Sequence, residues 1–414
     1  MFFNKSEMLL PKNADMTKWS VVACDQYTSE PEYWNDVKEF TKNAVSAYNL
    51  VLPEVYLEDS DVEKRIENIN KTMREYLAND VFKVTPKCYI YVERTLNNGS
   101  VRKGIMGCVD LEEYEYTVGS KSKIRATEKT VVERIPPRLK VRENAPLELP
   151  HVMILVDDES KSIIEPLSEL KDSFEKVYDF DLMAESGHIE GYILNEKASL
   201  EFEEKLSAFS DIGAFNKKYG VSENSPLVFA VGDGNHSLAT AKEFYNKQKE
   251  KFGDAAKERP ARYALVELVN LHDDSLVFEA IHRVVFDIDE EDFVNGLKEI
   301  CTVGEGGQTF TVLYNGKEEK LTVKNPDSNI TVGSVQNYID SYIAQKGGKV
   351  DYIHGEDVVK ELTADKNVGI LLDAMDKADL FKTVILDGAL PRKTFSMGDA
   401  CDKRFYTEAR IIQE

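Results

Sequence analysis

The chain has 414 residues, of which 42% are hydrophobic, and this length accommodates one large domain or two to three ordinary ones with a sizeable core. Asp and Glu outnumber Lys and Arg by 74 to 52, which gives a formal net charge of −22 at pH 7. Such a surface repels nucleic acid and anionic membranes at long range, and no run reaches the roughly 20 apolar residues that span a bilayer.

The cysteines and the first residues indicate the compartment. Five cysteines are widely spaced and contain no CxxC pair, which argues against a disulfide framework and against a structural zinc site. The first sixteen residues lack the long apolar core of a signal peptide. We therefore expect a cytoplasmic protein that has neither nucleic acid nor a membrane as its partner.

The first half of the chain shows helix signals followed by strand signals. Ser29, which precedes Glu-Pro-Glu, predicts a helix start, and we expect this helix to run to about Tyr48. A second helix is indicated by apolar residues three or four apart, namely Val62, Ile66, Ile69, Met73 and Leu77. Strands are predicted at residues 88–94, 101–111 and 151–156, the first two joined by a turn at residues 97–99.

The most informative stretch is PLVFAVGDGNHSLATAK, residues 226–242. An apolar run predicts a strand at residues 227–231, and a helix-forming run begins at Leu238. Between them lies a turn made of Gly232, Asp233, Gly234, Asn235, His236 and Ser237. A helix that starts directly after such a turn favours an anion, because free N–H groups and the helix dipole meet there. The same residues also fit a capped turn without a ligand, and the spacing is that of neither a Walker A loop nor GxGxxG.

The side chains of this turn suggest distinct roles. Asn235 or Ser237 could cap the helix, since either oxygen can accept from free N–H groups. Asp233 could hold a metal ion or a ligand hydroxyl. His236 could donate to a phosphate or act as an acid or base. The two glycines would allow the backbone to approach a ligand closely.

The second half of the chain again mixes strands with helices. Two adjacent strands are predicted at residues 262–271 and 276–286. The sequence Tyr-Asn-Gly-Lys at 314–317 predicts a type I′ hairpin between 309–313 and 321–323. Helices at 335–344 and 358–362 flank a short strand at 350–353. The predicted class is therefore α/β or α+β with mixed sheets and flanking helices, arranged in two lobes at residues 1–258 and 259–414.

Three further segments carry candidate residues, each with a purely structural alternative. His282 and Arg283 interrupt an apolar strand, which also fits an edge strand with a solvated arginine. Arg392 and Lys393 begin a basic cluster (with Lys403, Arg404 and Arg410) that could grip phosphate or carboxylate, or could be a surface loop. Glu128 could act as a general base if desolvated, or could belong to an exposed helix start.

Four short motifs, taken together, resemble those of the DUF1015 family. They are DGNHSLATA at 233–241, TEKT at 127–130, IHR at 281–283 and PRKTF at 391–395. Asn235, Ser237 and Thr127 occupy family His, Arg and His positions, which is typical of a divergent subgroup. The turn is also similar to that of ParB/sulfiredoxin-like proteins, including the free-serine kinases, in which it holds nucleotide phosphates. The resemblance implies a ParB/sulfiredoxin-like core and a nucleotide or phosphorylated metabolite as ligand.

These observations lead to one functional hypothesis with two alternatives. We expect a nucleotide- or phosphate-binding protein, in its catalytic form a small-molecule kinase or phosphotransferase. The turn would cradle phosphate, with Asp233 assisting Mg²⁺ and His236 donating to an oxyanion. Glu128 would act as the base. Further negative charge would be neutralised by Arg283, Arg392 and Lys393. The alternatives are a non-catalytic nucleotide-gated regulator or assembly module, compatible with a homo-oligomer, and a phosphoester hydrolase using His236 with Asp233.

Overall fold

The computed structural model describes residues 2–130, 134–304, 306–364 and 366–413. The chain divides into two compact units. The larger unit comprises residues 1–126, 130–276 and 399–414, and the smaller unit comprises residues 127–129 and 277–398. These bounds differ from the predicted lobes, because the strand Tyr263–Asn270 pairs with strands of the larger unit and the residues from 399 onward belong to that unit as well.

A ten-stranded mixed sheet forms the centre of the larger unit. Its strands follow the spatial order Glu175–Asp181, His188–Ile193, Ile90–Thr95, Val101–Asp110, Tyr263–Asn270, Met153–Val156, Phe229–Asp233, Ile124–Arg125 and Tyr114–Glu115, with Phe3–Asn4 also paired to Val101–Asp110. The strand Tyr263–Asn270 is antiparallel to Val101–Asp110 and parallel to Met153–Val156. Two small antiparallel pairs, Leu9–Pro11 with Phe82–Val84 and Leu147–Glu148 with Arg410–Ile411, complete the strands described in this unit.

Helices and buried side chains cover this sheet. The described α-helices of the larger unit are Met16–Trp19, Pro31–Phe40, Val62–Ala78, Ile135–Glu143, Glu196–Ser207, Ile212–Tyr219 and Asn235–Phe252. We call Asn235–Phe252 the site helix. Its buried Leu238, Ala241 and Tyr245 pack in one hydrophobic cluster with Phe229 and Val231 of the preceding strand, so the strand and helix are held together by a shared core.

The smaller unit is built on a six-stranded antiparallel sheet. The strand order is Cys301–Val303, Lys317–Val323, Thr309–Tyr314, Val368–Leu371, His282–Phe286 and Lys349–Ile353. The described helices are Glu290–Ile300, Thr331–Lys346, Glu356–Leu362 and Lys377–Leu386, and Phe278–Ala280 pairs separately with Phe395–Met397. Across the described residues of both units, no helix is long and apolar enough to cross a membrane.

Several predicted elements are confirmed. The class is mixed α/β, with strands and helices interleaved throughout. The hairpin at residues 309–323 forms, and Asn315 and Gly316 have φ of 48° and 68°, as a type I′ turn requires. The strands flanking the turn at 97–99 also pair, from Ile90 to Thr95 against Val101 to Asp110. All five cysteines are free.

Two predicted elements are wrong. The first helix ends at Phe40 rather than near Tyr48, because Asn43 takes a left-handed conformation and the Ser46 side chain accepts from the Tyr48 N–H to start a separate 3₁₀ turn. The runs 262–271 and 276–286 are not adjacent strands. The first pairs with strands at 101–110 and 153–156, and the second is divided into Phe278–Ala280 and His282–Phe286.

Candidate functional site

The predicted strand, turn and helix form as one continuous feature of the larger unit. The strand Phe229–Asp233 leads into Gly234, which has φ of 79° and ψ of 28°, and the site helix begins at the next residue. A Cβ at Gly234 would lie 3.0 Å from Cγ2 of Val152, so both the conformation and the space require glycine. Because glycine at the N-cap offers no capping side chain and the first turn holds no acidic residue, the helix start keeps its positive character.

Ser237, in the first turn of the site helix, is the end of a buried hydrogen-bond chain. Its Oγ lies 2.7 Å from Nε2 of His151, and Nδ1 of His151 lies 2.8 Å from the hydroxyl of Tyr406. The Tyr406 oxygen in turn accepts from the backbone N–H of Cys24 at 3.0 Å. His151 and Tyr406 are 7% and 1% exposed, so the chain is shielded from water up to Ser237.

Asp25 lies beside the His151 ring of this chain. Its Oδ2 lies 3.7 Å from Nε2 of His151. Burial raises the pKa of the Asp25 carboxyl, but nearby His151, the Gln26 amide and Lys403 outweigh this and hold the pKa below its usual range. A carboxylate beside Nε2 favours the tautomer with a proton on Nε2, and in that tautomer Nδ1 would accept from the Tyr406 hydroxyl while Nε2–H would be shared by Ser237 and Asp25. Ser237 would then accept, and its own hydroxyl hydrogen would be available to another acceptor.

Asp233 lies at the end of the strand beside a second charged partner. Its Oδ1 accepts from the backbone N–H of Gly234 at 2.9 Å, and its Oδ2 lies 3.6 Å from Nζ of Lys403. The Lys403 side chain is largely buried and also lowers the pKa of Asp25, so this ammonium group acts on both carboxylates. Lys403, predicted only as part of the basic cluster, is thus placed at the turn.

The other predicted residues of the turn occupy ordinary positions in it. Gly232 belongs to the strand, and Asn235 and His236 are half-buried in the first helical turn. The carbonyl of His236 accepts from the Thr240 hydroxyl at 2.7 Å, which is a bond within the helix. The predicted catalytic role of His236 and the predicted binding roles of Gly232 and Asn235 stay predictions.

Asp233 belongs to neither of the two groups of metal-ligand type found among the described residues. These groups are Asp157 with Glu159 and His272, and Asp179 with His188 and Glu190. In each a lysine is bound to the carboxylates, since Lys218 pairs with the first group and Lys176 with the second. The lysines already compensate these charges, and a metal role for Asp233 stays a prediction.

The predicted residues of the smaller unit lie close to one another. Oε1 of Glu128 accepts from the backbone N–H of Lys393 at 3.1 Å. Arg283 is fully buried and donates to the carbonyl of Ile281, to Oε1 of Gln336 at 3.1 Å and to the carbonyl of Arg392 at 3.2 Å. Burial lowers the pKa of Arg283 to about 10. Arg392 and Lys393 are exposed. The ligand roles of these four residues, and their predicted approach to Ser237, stay predictions.

Sequence reasoning missed three partners of the turn. The sequence predicts His151 only as the start of a strand and gives no site role to Asp25 or Tyr406. The segment ACDQY at residues 23–27 ends an apolar run in polar residues, which is the one local signal available for Asp25. No pattern within the sequence indicates that His151 meets a serine 86 positions later.

The comparisons with known proteins agree with the motif analysis. The family model described as "Protein of unknown function (DUF1015)" matches residues 8–342, most of the chain, and the protein belongs to this family. A search of the curated proteins gives no match. Solved structures similar to this chain include a free serine kinase in complex with AMP, with 10% identity, a TM-score of 0.39 and coverage of 72% of this chain and 90% of that one.

Two further solved structures show a similar extent of likeness. A mutant free serine kinase in complex with ADP has 10% identity and a TM-score of 0.39, over 74% of this chain and 91% of that one. A conserved hypothetical protein from Pyrococcus furiosus has 9% identity and a TM-score of 0.36, over 72% and 93%. The predicted resemblance to free-serine kinases is thus found, while the function of this chain has to be argued from its own residues.

Proposed function

We propose that this protein binds the phosphate group of a nucleotide or a phosphorylated metabolite at the start of the site helix. The observation that carries the proposal is the hydrogen-bond chain from Cys24 through Tyr406 and His151 to Ser237. With the His151 proton on Nε2, each member would donate to the next, and the hydroxyl hydrogen of Ser237 would be available to an outside acceptor. The outside acceptor would lie at the positive end of an 18-residue helix.

The surrounding charges favour a phosphate that arrives with a divalent cation. Asp25 and Asp233 contribute two carboxylates against the single ammonium of Lys403, and this excess of negative charge would repel a bare phosphate. Carboxylate oxygens are the ligands that Mg²⁺ prefers, usually together with phosphate oxygens. Asp233, half-exposed at the strand end, is the residue we assign to such an ion, which would bridge to the ligand phosphates.

The proposal extends from phosphate binding to phosphoryl transfer. Positioning and electrostatic stabilisation account for most of the catalysis of this reaction, and the helix start, Lys403 and Ser237 offer both. His236, in the same helical turn, is the proposed donor to an oxygen of the transferred group. The expected roles of Glu128 as base and of Arg283, Arg392 and Lys393 as cationic partners stay predictions from the sequence, since all four lie in the smaller unit and the donors of Arg283 are bonded within it.

Binding is tested by titrating ATP, ADP, AMP and inorganic phosphate, with and without Mg²⁺, in a calorimeter. A hydrogen bond to a charged group contributes about 1.5–3 kcal/mol, so Ser237→Ala should weaken binding of the preferred ligand about 10- to 100-fold. The matched control is Ser207→Ala, which removes a helical serine bonded to the Glu204 carbonyl in the same unit. Equal affinity of Ser237→Ala and the wild type, or no binding of any ligand at millimolar concentration, contradicts the proposal.

Transfer is tested separately by phosphorus NMR on ATP incubated with pooled small metabolites. Enzyme-dependent ADP and a new phosphomonoester are expected, and His236→Ala should lose turnover while retaining nucleotide affinity. Binding without any product removes the transferase form and leaves a regulator that senses nucleotide. Release of inorganic phosphate alone would instead favour the hydrolase alternative.

A further inference from the structure

A cavity of about 150 Å³ lies in the larger unit beside the proposed phosphate site. Ser237, which ends the hydrogen-bond chain at the helix start, is also part of the cavity wall, together with His151 and Tyr406. Protein interiors are densely packed and contain few spaces larger than a water molecule. A cavity of this size holds a molecule of about six non-hydrogen atoms, such as benzene. The space is thus large enough for a small ligand.

Most of the cavity wall is apolar. It combines segments that are distant in the sequence, and its buried apolar members include Leu52, Met73, Leu147, Val152, Leu238 and Leu265. Water gains few hydrogen bonds against such a surface, so a cavity of this kind favours an apolar occupant over water. The main part of a ligand in this space should therefore be hydrocarbon.

The charged side chains of the wall are paired with one another. Arg138 and Arg142 line the cavity, and so do the carboxylates to which they donate, Glu54 and Glu148 respectively. Nε of Arg142 has no hydrogen-bond partner among the described residues, but this atom is enclosed by protein and is not exposed to the cavity. The wall therefore contains two ion pairs and offers no surplus charge to a ligand.

The charged groups next to the wall keep this balance. Arg410 adds one positive charge through its bond to a wall glutamate, and Asp25 adds one negative charge beside the wall histidine. Lys403 and Asp233 form a further pair at the turn. Positive and negative charges are thus equal in number among these groups and the two ion pairs of the wall. Because a lone ion in an apolar space is costly, this balance favours an uncharged ligand group.

The other polar side chains of the wall are bonded within the protein. Ser237 and Tyr406 both pair with His151, and the Thr240 hydroxyl donates to the carbonyl of His236 at 2.7 Å. A ligand with several polar atoms, such as a purine base, would leave most of them without partners in this space, which is costly. The wall therefore fits a body that has little polar surface.

We propose that this cavity binds a compact, uncharged and largely apolar group of about six non-hydrogen atoms, and that this group is the body of the phosphorylated ligand. The second half of this statement rests on the proposed function. The phosphate at the helix start and the body in the cavity would meet at Ser237, which belongs to both places. The ligand class is then a phosphate monoester of a small neutral alcohol rather than a nucleotide.

The cavity is tested without phosphate by three probes that share one apolar body. Pentanol is neutral, pentylamine cationic and pentanoate anionic, and each is titrated against the full-length protein by ligand-observed NMR. We expect saturable binding of pentanol and at least about tenfold weaker binding of both ions, because an ion loses its hydration in an apolar space. Pentylamine or pentanoate bound as tightly as pentanol overturns the proposal, and so does the absence of saturable pentanol binding.

Variants locate the binding in the cavity. Ala241→Leu fills part of the space and should weaken pentanol at least about tenfold. Ala198→Leu changes a similarly buried helical alanine outside the cavity wall and should keep pentanol affinity within about twofold. Val141→Phe fills the space from a half-buried position and decides the test if Ala241→Leu does not fold. Unchanged pentanol affinity in the variants that fill the cavity, with folding confirmed by circular dichroism, overturns the proposal.

The link between the cavity and the phosphate is tested by comparing pentyl phosphate with methyl phosphate in the presence of Mg²⁺. Pentyl phosphate should bind at least about tenfold more tightly, because its longer chain leaves water for the cavity. Ala241→Leu should remove this difference while leaving the affinities for methyl phosphate and AMP within about twofold. Equal affinities of the two esters in the wild type overturn the link, and a loss of AMP affinity in Ala241→Leu assigns the cavity to a base and overturns it as well.

Failure of the proposed function gives a different result. Neither ester, nor AMP, nor inorganic phosphate would then bind, while pentanol would still bind to the wild type and bind more weakly to Ala241→Leu. This result overturns the link to phosphate and supports the cavity as a site for an uncharged apolar molecule.

Discussion

The start of the site helix and the surroundings of Arg283 both concentrate polar side chains, but they use their hydrogen-bond donors differently. In the larger unit a hydrogen-bond chain joins Tyr406, His151 and Ser237, and we propose that its last hydroxyl donates to a ligand. In the smaller unit the donors of Arg283 go to the carbonyls of Ile281 and Arg392 and to the Gln336 amide. A basic residue in a motif is therefore weak evidence for a ligand until its internal bonds have been counted.

The largest expected effect concerns Arg283. Replacement by Met keeps the length of the side chain but leaves two main-chain carbonyls and an amide oxygen in a buried place without their donor. We expect Arg283→Met to lower the free energy of unfolding by roughly 3 kcal/mol, with no change in phosphate affinity. Urea denaturation followed by circular dichroism measures the first quantity and calorimetry the second.

Arg392 provides the control for Arg283. Arg392→Met changes an exposed arginine of the same unit and should alter stability by less than about 0.5 kcal/mol. If Arg283→Met is as stable as the wild type but binds nucleotide more weakly, Arg283 is a ligand residue, as the motif predicted. The two regions would then act alike.

The second largest expected effect concerns Tyr406 in the larger unit. Tyr406→Phe removes the hydroxyl paired with Nδ1 of His151. If this hydroxyl donates to Nδ1, as we propose, the proton of the ring should shift toward Nδ1 and away from Ser237. Nitrogen-15 NMR of the imidazole should report this change of tautomer, and phosphate affinity should fall about tenfold, or roughly 1.4 kcal/mol. Tyr116→Phe, which removes a hydroxyl bonded to Glu243, is the control. An Nε2–H tautomer that persists in Tyr406→Phe would show that Tyr406 does not orient the ring.

The smallest expected effect is on how the free energy of unfolding depends on pH. The folded-state pKa of Asp25 lies below its ordinary value, so its contribution to stability is present above about pH 4 and is lost as the pH falls through the folded-state value. The unfolding free energy of the wild type should therefore decrease more steeply below about pH 4 than that of Asp25→Asn, by less than about 1 kcal/mol. Asp36→Asn changes an exposed aspartate and serves as the comparison. Parallel pH profiles of Asp25→Asn and the wild type would mean that His151 and Lys403 do not stabilise the carboxylate.

The local part of this architecture could be predicted from the sequence. The turn at Gly234 depends on residues that follow one another, because strand, glycine and helix start are all specified within residues 226–242. The hairpin at Asn315 and Gly316 depends on two positive φ values that these residues adopt readily. The first helix shows the limit of such reasoning. The sequence predicts a helix that continues to about Tyr48, but the local conformation at Asn43 and Ser46 ends it earlier.

The partners of the turn could not be predicted, because they reach it through long-range pairing. His151 comes to Ser237 because the strand Met153–Val156 pairs with Phe229–Asp233, and that register is fixed by the whole sheet. Asp25 and Lys403 are separated by most of the chain, and only the folded larger unit brings both to Asp233 and His151. Single-sequence patterns describe neighbours along the chain and give no register between distant strands.

The order of the segments along the chain has a consequence for biosynthesis. Lys403 and Tyr406 follow the whole smaller unit, whereas Asp25 lies near the beginning of the larger one. During translation the sheet of the larger unit can form early, but Nδ1 of His151 lacks its Tyr406 partner until residue 406 has left the ribosome. Under the proposed function, the phosphate site would therefore be completed only after almost the whole chain has been synthesised.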